Sequence, residues 1–309
     1  MTQPPPLLVG LDVGGTKIAG IVLDHDGRVR AERRVPTPRG DYEGSLAAMT
    51  GLVAALEQEA GGSGTVGLGI PGAVSPETGL VKNANSTWLI GRPFKEDLEH
   101  RLGRPVRIEN DANCLAVSEA VDGAGAGAPL VWAVILGTGV GSGIAVEGRA
   151  LSGRQRIAGE WGHNPLPAPR DDERPGPPCY CGRRGCVEAW LSGPALAADH
   201  ARITGQRLAG EDIVAAMRAG DAGARATFVR WRERLARSLA GVVNILDPDV
   251  IVLGGGLSTI DEVYPGLTEL TAPHVISDTF TTPIVRSRYG DASGVRGAAW
   301  LWKDAAIAS

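Results

Sequence analysis

One short pattern occurs twice in this chain: an apolar strand, a glycine-rich turn and a second apolar strand. The first copy covers Leu7–Leu23 with its turn at 13–16, and the second covers Leu130–Val146 with its turn at 137–143. Apolar, β-branched runs on either side of a short glycine turn favour strands joined as a hairpin. Because the pattern recurs once in each half of the chain, it predicts a duplicated architecture.

The segments between the two copies predict an α/β fold. Asp41 is suited to a helix N-cap, and the apolar residues after it recur every three or four positions as far as Leu56, which is typical of one helix face. The predicted strand Val66–Ile70 leads into a Pro-Gly turn, and the predicted strand Val106–Glu109 leads into polar residues. Polar residues at the carboxyl ends of strands mark the edge where α/β sheets usually bind ligands. Further helices are predicted at about 186–203, 211–219, 223–246 and 294–303.

The length of the chain predicts two lobes. The 309 residues correspond to two domains at about 150 residues each. The glycine- and alanine-rich segment Gly123–Pro129 is the best junction on composition. We therefore expect a smaller amino-terminal lobe at 1–122 and a larger lobe at 123–290, with a carboxyl-terminal helix at about 291–309 that packs back on the first lobe.

Charge and hydropathy exclude two classes of partner. The 31 Lys and Arg residues against 35 Asp and Glu give a formal charge of −4, without a basic run of the kind that binds a nucleic-acid backbone. No stretch reaches the roughly 18 apolar residues that a membrane helix needs, and the amino terminus lacks a secretory pattern. We expect a cytoplasmic protein that acts on small molecules, without nucleic-acid or membrane partners.

Both glycine turns are candidates for binding phosphate groups. Neither matches a P-loop or a dinucleotide fingerprint, but glycines permit φ > 0 and close approach, so that backbone N–H groups and a threonine hydroxyl can contact phosphate oxygens. Asp12, directly before the first turn, is placed to hold a magnesium ion that bridges the phosphates. An ordinary hairpin turn is the alternative for the first copy, and the second copy favours phosphate binding. The residues concerned are Gly14, Gly15, Thr16 and Lys17 in the first turn and Gly137, Thr138, Gly139, Val140 and Gly141 in the second.

Several segments together resemble the ROK family of sugar kinases and repressors. They are Gly10–Lys17, Asn83–Leu89, Asn110–Gly123, Leu136–Gly141, Ala158–Pro167, Leu253–Gly256 and Gly290–Trp302. The resemblance extends from Leu7 to about Trp302 and implies a two-lobed α/β fold of the actin, hexokinase and Hsp70 ATPase type. Within the family the chain looks most like bacterial fructokinases that also accept mannose. The repressor branch carries a winged helix-turn-helix, for which the residues before Leu7 are too few.

The resemblance implies roles for residues at the sugar and nucleotide sites. Asp111 matches the position of the catalytic base, which orients the sugar hydroxyl and accepts its proton. A helix N-cap formed by Asn110 and Asp111 is the alternative explanation of these residues. The other implied sugar contacts are Gly72, Asn85, Thr87, Asn110, Glu160, His163 and Glu188. Gly254, Gly255 and Gly256 are expected against the adenosine, although a flexible strand-to-helix turn explains the same triplet.

Three of the four cysteines lie close together and, with one histidine, match the zinc signature of the family. His163, Cys179, Cys181 and Cys186 form H-x15-C-x-C-x4-C, and one imidazole with three thiolates is the ligand set of a closed structural zinc site. One ring nitrogen of His163 can bind zinc while the other contacts a sugar hydroxyl. A disulfide or free thiols are the alternative. The intervening loop 164–178 is expected to be a surface excursion or a dimer contact.

These observations predict an ATP- and Mg²⁺-dependent hexose kinase. We expect it to phosphorylate the 6-hydroxyl of fructose, and also of mannose, with Asp111 as the base, a structural zinc ion and a homodimeric assembly. A glucose or N-acetylglucosamine kinase of the same family is the alternative within the enzyme class. A sugar-responsive ROK transcriptional regulator is the alternative from another class.

Overall fold

The computed structural model describes residues 7–306, and all statements about the fold refer to them. The strands are β1 Leu7–Val13, β2 Lys17–Leu23, β3 Val29–Pro36, β4 Gly64–Ile70, β5 Ala73–Val74, β6 Val81–Lys82, β7 Val106–Asn110, β8 Leu130–Leu136, β9 Val140–Val146, β10 Arg149–Ala150, β11 Val250–Gly254 and β12 Ile284–Arg286. The α-helices are α1 Tyr42–Ala60, α2 Phe94–Leu102, α3 Asp111–Val121, α4 Glu188–Leu191, α5 Gly193–Thr204, α6 Gly210–Arg218, α7 Ala222–Leu246, α8 Leu267–Thr271 and α9 Ser293–Trp300.

The first sheet brings two polar strand ends, those of β1 and β7, to one edge. Its order is β3-β2-β1-β4-β7, and β1, β2 and β3 pair antiparallel, as the hairpin pattern predicts. β4 pairs parallel with both β1 and β7, with Asp12 opposite Gly69 and Ile70 opposite Asn110. Because the carboxyl ends of these parallel strands point the same way, Asp12 and the residues after Asn110 lie at the same edge of the sheet.

The second sheet repeats this plan. Its order is β10-β9-β8-β11-β12, in which β9 lies beside β8 just as β2 lies beside β1. The strands on either side of the second glycine turn are therefore neighbours, and the predicted duplication of the strand, glycine turn and strand pattern is confirmed. The second turn is shorter than the sequence predicts, since β9 begins at Val140 and only 137–139 separate it from β8.

The first helix forms where the periodicity predicts it. Asp41 caps it, with its Oδ1 accepting from the N–H of Gly44 at 2.9 Å, and Gly61 ends it in the left-handed conformation at φ 75°. Its predicted apolar face is buried: Leu46, Met49, Leu52, Val53 and Leu56 are at most 3% exposed. Capping and burial of one face therefore act together at this helix, as is usual for an amphipathic helix that covers a sheet.

Other helices depart from the predictions. The helix predicted at 186–203 is two helices, α4 and α5, because Ser192 caps the second and Pro194 occupies its first turn. The sequence analysis also did not predict α2 or the short hairpin of β5 and β6. Within the described residues, no helix is long and apolar enough to span a membrane.

By its contacts the chain divides into two compact units. The first comprises the residues up to Val131 together with Gly143–Gly159 and the residues from Arg288 onward, and the second comprises Trp132–Ser142 and Glu160–Ser287. The division at 122/123 stays a prediction. In the first unit α9 packs on α3 and β1. The carboxyl-terminal helix predicted at 291–309 is α-helical over Ser293–Trp300, and 307–309 lie outside the described residues.

Close helix packing in the first unit depends on glycine. A Cβ at Gly297 in α9 would overlap the carbonyl oxygen of Cys114 in α3, and a Cβ at Gly10 in β1 would overlap the carbonyl oxygen of Val295. Cys114 is fully buried in α3, where burial raises the pKa of its thiol well above the usual value. It is a small packing residue, remote from the other three cysteines in sequence and in role.

Candidate active site

The first glycine turn is a hairpin turn with one open position. The N–H of Gly14 donates to the carbonyl oxygen of Lys17 at 3.0 Å, and the Thr37 hydroxyl donates to the carbonyl oxygen of Gly14 at 2.7 Å. Neither Gly14 nor Gly15 adopts a left-handed φ, so this turn does not use the φ > 0 that glycine permits. Among the residues that the structure describes, a Cβ at Gly15 would meet no atom within 4 Å. The chain itself therefore does not require glycine at position 15, which leaves room for a ligand.

Asp12, near the end of β1, has a pKa above its usual value. Burial is the main reason that its pKa rises from 3.8 to about 6, and the nearby charges of Asp111 and Asp291 raise it further against the opposing effect of Lys17. A Cβ at Gly294, in the first turn of α9, would lie only 3.3 Å from Asp12 Oδ2. The sequence analysis assigned no role to Asp291, although it lies in a segment that carries the family resemblance.

Asn110 and Asp111 join β7 to α3. The Asn110 side chain caps α3 by accepting from the N–H of Ala112 at 2.9 Å, and its Nδ2 donates to the carbonyl oxygen of Gly72 at 3.2 Å. Asp111 is the first residue of α3, and its Oδ1 also accepts from the N–H of Ala112, at 2.8 Å. The capping explanation therefore holds for Asn110. It does not compete with a base at Asp111, whose side chain is partly exposed.

The other predicted sugar contacts of the first unit follow β4. Gly72 has φ +84°, and a Cβ there would overlap the carbonyl oxygen of Lys82, so the local fold alone explains this glycine. Asn85 and Thr87 are exposed, on either side of the buried Ser86. Through the hydrogen bond from Asn110 to Gly72, the structure brings Gly72 to the same edge as Asp111.

A cavity of about 580 Å³ in the second unit contains part of the predicted nucleotide site. Gly137, Thr138 and Gly256 line it, and Glu211 and Arg218 from α6 face the same space. Its size is within the usual range for small-molecule sites. Glu211 and Arg218 are not among the predicted site residues, because only the tertiary packing of α6 brings them to the glycine turns.

Glycines of the second unit differ in how much space the fold leaves beside their backbone. A Cβ at Gly141 or Gly256 would meet nothing within 4 Å, as at Gly15. Gly255 has φ +81°, and its Cβ would lie 2.5 Å from the carbonyl oxygen of Leu136. The fold therefore requires glycine at 255, whereas Gly141 and Gly256 leave space for a ligand beside the backbone. Gly254 is the buried last residue of β11.

Glu188 contacts the second glycine turn directly. Its Oε2 accepts from the N–H of Val140 at 2.9 Å and would lie 2.8 Å from a Cβ at Gly139. A residue that is predicted to bind sugar therefore contacts the turn that is predicted to bind phosphate. In the structure the Glu188 carboxylate accepts the hydrogen bond from the Val140 N–H. A phosphate oxygen could accept the same hydrogen bond only by displacing the carboxylate. Glu160, also predicted to bind sugar, is exposed.

The histidine and three cysteines converge as the metal signature predicts. The ligand atoms of His163, Cys179, Cys181 and Cys186 all lie within 4.8 Å of one another. Nδ1 of His163 is 3.6 Å from Cys179 Sγ, and Cys181 Sγ is 3.7 Å from Cys186 Sγ. A tetrahedral zinc ion with Zn–S bonds of about 2.3 Å separates its sulfur ligands by about 3.8 Å, so this donor set fits zinc. The three cysteines are not disulfide-bonded.

The second ring nitrogen of His163 already faces a hydroxyl group. Nε2 lies 3.0 Å from the hydroxyl oxygen of Tyr180, and the two rings pack edge to face at 5.1 Å. Nδ1 is thus the nitrogen on the cysteine side, and Nε2 is the one that can meet a hydroxyl. The sequence analysis did not single out Tyr180, because nothing in its spacing distinguishes it from an exposed aromatic residue.

Comparison with known proteins identifies the family. Residues 8–305 match the ROK family. The chain belongs to the ROK family. It is 42% identical over 296 residues to the N-acetyl-D-glucosamine kinase of Citrobacter koseri, covering 94% of this chain and 98% of that protein.

Solved ROK structures have the same fold. The ROK hexokinase from Thermus thermophilus matches with a TM-score of 0.85 and 33% identity, over 96% of this chain and 97% of that one. The ROK-family glucokinase from Streptomyces griseus, solved in complex with glucose and AMPPNP, matches with a TM-score of 0.73 and 29% identity, over 98% of this chain and 100% of that one. The predicted actin- and hexokinase-like ATPase fold is confirmed, and sugar kinase is the class of activity that these relatives support.

Proposed function

We propose that this ROK-family chain is an ATP-dependent kinase that phosphorylates N-acetyl-D-glucosamine at the 6-hydroxyl. The observation that carries the choice of sugar is the 42% identity to N-acetyl-D-glucosamine kinases over 94% of the chain. This similarity favours the alternative of the sequence analysis over fructose. Support for the chemistry comes from the edge of the first sheet, where Asp12 near the end of β1 and Asp111 directly after β7 lie on either side of β4, which pairs parallel with both strands.

Asp111 is the proposed base of the transfer. A kinase that acts on an alcohol needs a carboxylate to orient the hydroxyl and to accept its proton as the phosphoryl group is transferred. Asp111 is held at the start of α3 by the capping hydrogen bonds at Ala112, which fix its position without burying it completely. Its charge also acts on Asp12, so the two carboxylates lie in one electrostatic environment.

Asp12 is the proposed partner of magnesium. A magnesium ion would neutralise charge on the transferred phosphates and would be held by Asp12 directly or through water. The raised pKa of Asp12 fits this role, because a buried carboxylate with acidic neighbours gains most from a nearby cation. In the first unit, the open position beside Gly15 is the proposed place of closest approach by phosphate. In the second unit, the open positions beside Gly141 and Gly256 are the proposed places of closest approach by the nucleotide.

The sugar contacts remain those that the family resemblance implies. In the second unit the proposed sugar-binding residues are Glu160, His163 and Glu188. In the first unit they are Gly72, Asn85, Thr87 and Asn110. Nε2 of His163 supports this proposal, since it meets the hydroxyl of Tyr180 in the structure. Zinc bound by His163 and the three cysteines would hold this imidazole in one orientation. A homodimer stays a prediction.

A sugar panel tests the proposal. Initial rates with N-acetylglucosamine, glucose, mannose and fructose should give the highest kcat/KM for N-acetylglucosamine, and NMR of the product should place the phosphate on the 6-oxygen. Fructose is the second candidate, because Asn83–Leu89 resembles the fructokinase branch. A higher kcat/KM for fructose would overturn the choice of sugar, and the absence of phosphorylation of any hexose would overturn the kinase itself.

A further inference from the structure

The loop 164–178 joins the first two predicted metal ligands, His163 and Cys179. The sequence analysis expected a surface excursion or a dimer contact there. Most of the loop is exposed, but one of its acidic residues is buried: Glu173 is 4% exposed, whereas Asp171 and Asp172 beside it are exposed. A buried carboxylate is costly unless it is paired and hydrogen-bonded. Its partners therefore define what the loop is fixed to.

Glu173 is held by two arginines of α7. Its Oε1 accepts from Nε of Arg234 at 2.8 Å and from Nη2 of Arg237 at 2.7 Å, and its Oε2 accepts from the same Nη2 at 2.9 Å. The N–H of Arg170, within the loop, donates to Oε2 at 2.8 Å. Burial alone raises the pKa of Glu173, but these hydrogen bonds outweigh it and leave the pKa below its usual value. The carboxylate is thus charged and fully engaged.

One of these arginines also holds the segment that directly follows His163. Nη1 of Arg237 donates to the carbonyl oxygens of Pro167 and Ala168, at 3.1 and 2.6 Å. On its other side the segment contacts the cysteine hairpin, because the N–H of Leu166 donates to the carbonyl oxygen of Gly185 at 2.9 Å. Residues 164–168 therefore lie between Arg237 and the hairpin that carries Cys179, Cys181 and Cys186.

We propose that Glu173 is a positioning residue of the metal centre, which anchors the loop to α7 so that His163 and the cysteine hairpin meet in ligand geometry. The inference rests on the metal site of the proposed function. Without the anchor, 15 loop residues between two ligands would have to be ordered when the metal binds, and that ordering opposes binding. Glu173 does not touch the metal or the sugar; it acts through Arg237 and residues 164–168.

The same arginine cluster contains a matched control. Asp199 in α5 is 5% exposed and contacts Arg234 Nη1 at 3.2 Å and Arg230 Nη2 at 3.0 Å, together with Arg202 at 2.8 Å. It is as buried and as highly paired as Glu173 but does not belong to the loop. Asp199→Asn should therefore disturb the cluster without releasing the loop.

The experiment compares zinc release from the purified wild-type protein, Glu173→Gln and Asp199→Asn. Metal content is measured by mass spectrometry, release is followed with excess chelator and a colorimetric zinc indicator, and unfolding is followed by circular dichroism. Both variants should unfold at a lower temperature than the wild type. Only Glu173→Gln should release zinc faster, by about tenfold, the lower end of the effect of residues that support metal ligands. It should also raise the sugar KM more than it lowers kcat, and excess zinc should restore the KM.

Equal release rates for Glu173→Gln and Asp199→Asn would overturn the positioning role. A wild-type protein without zinc would overturn the metal centre itself, and this inference with it. Should Glu173→Gln fail to fold, Arg237→Gln gives the same test. This substitution removes the contacts to Pro167 and Ala168 while the Arg234 contact to Glu173 remains. It too should release zinc faster than Asp199→Asn, and release at the Asp199→Asn rate would refute the proposal.

Discussion

Asp12→Asn should stabilise the free protein while it abolishes turnover. The native fold raises the pKa of Asp12 from 3.8 to about 6, so the folded chain binds this proton more tightly than the unfolded chain does. Stability is therefore lost as the pH rises through the window between these values, and above it the buried charge carries its full cost. A rise of roughly two pKa units at about 1.36 kcal/mol each corresponds to up to about 3 kcal/mol.

Asparagine keeps the shape of the side chain and removes the charge. The variant should resemble the wild type near pH 4 and become more stable than it by up to about 3 kcal/mol near pH 7, because only the wild type develops a buried carboxylate. The measurement is urea unfolding of both ligand-free proteins at four pH values from 4 to 7.5. Asp278→Asn, at an exposed position in the second unit, is the control and should show no such trend.

Two results would refute this reasoning. One is a stability difference between the two proteins that does not change with pH, since the expected difference comes from the ionisation of Asp12. The other is an Asp12→Asn protein that unfolds at lower urea than the wild type at pH 7.5. Added MgATP should narrow the gap, because a cation at Asp12 offsets the cost of its charge in the wild type only.

Three further substitutions separate the parts of the site. Asp111→Asn should lower kcat by about 10²- to 10⁴-fold, because an amide cannot accept the hydroxyl proton, while the sugar Kd from calorimetry stays within about threefold. Wild-type turnover in a coupled assay would remove Asp111 as the base. Gly15→Ala should leave the melting temperature unchanged, since its Cβ meets no protein atom, but should raise the KM for ATP; an unchanged KM would mean that no phosphate approaches this turn. Cys181→Ser should reduce bound zinc from about one per chain and lower the melting temperature. A variant with full zinc content would argue against this ligand.

Local chemistry explains which parts of the fold could be predicted from the sequence. Asp41 begins α1 as predicted, and Gly61 ends it, because an N-cap and a left-handed C-cap depend on neighbouring residues alone. The break at Ser192 was not predicted, although Pro194 is a local signal for it, since proline cannot continue a helix but suits the first turn of a new one. The start of β9 at Val140, earlier than predicted, could not be predicted locally, because the pairing of that strand depends on its neighbour in the sheet.

Some residues of the candidate site could likewise be predicted from the sequence, and others could not. The convergence of His163 and the three cysteines could be predicted because the cysteines lie within eight residues and the chemistry of the four side chains is specific. The contact of Glu188 with Val140 joins residues 48 positions apart, and that of Glu173 with Arg237 joins residues 64 apart. No periodicity or motif encodes such pairs. They follow from how α4 and α7 pack, which is a property of the whole second unit.

The choice of sugar shows why a short motif and a whole chain can point to different substrates. Hexoses and N-acetylhexosamines share the 6-hydroxyl and most ring hydroxyls, so Asp111, Glu160 and His163 would serve either. Discrimination depends on the few atoms around the C2 substituent, where a site built to pair a hydroxyl rejects a mismatched group strongly. Asn85 and Thr87, the predicted sugar contacts within Asn83–Leu89, are both exposed, and exposed residues impose little on a ligand. Similarity over 94% of the chain includes the buried residues that shape the site, and for that reason it outweighs the seven-residue segment.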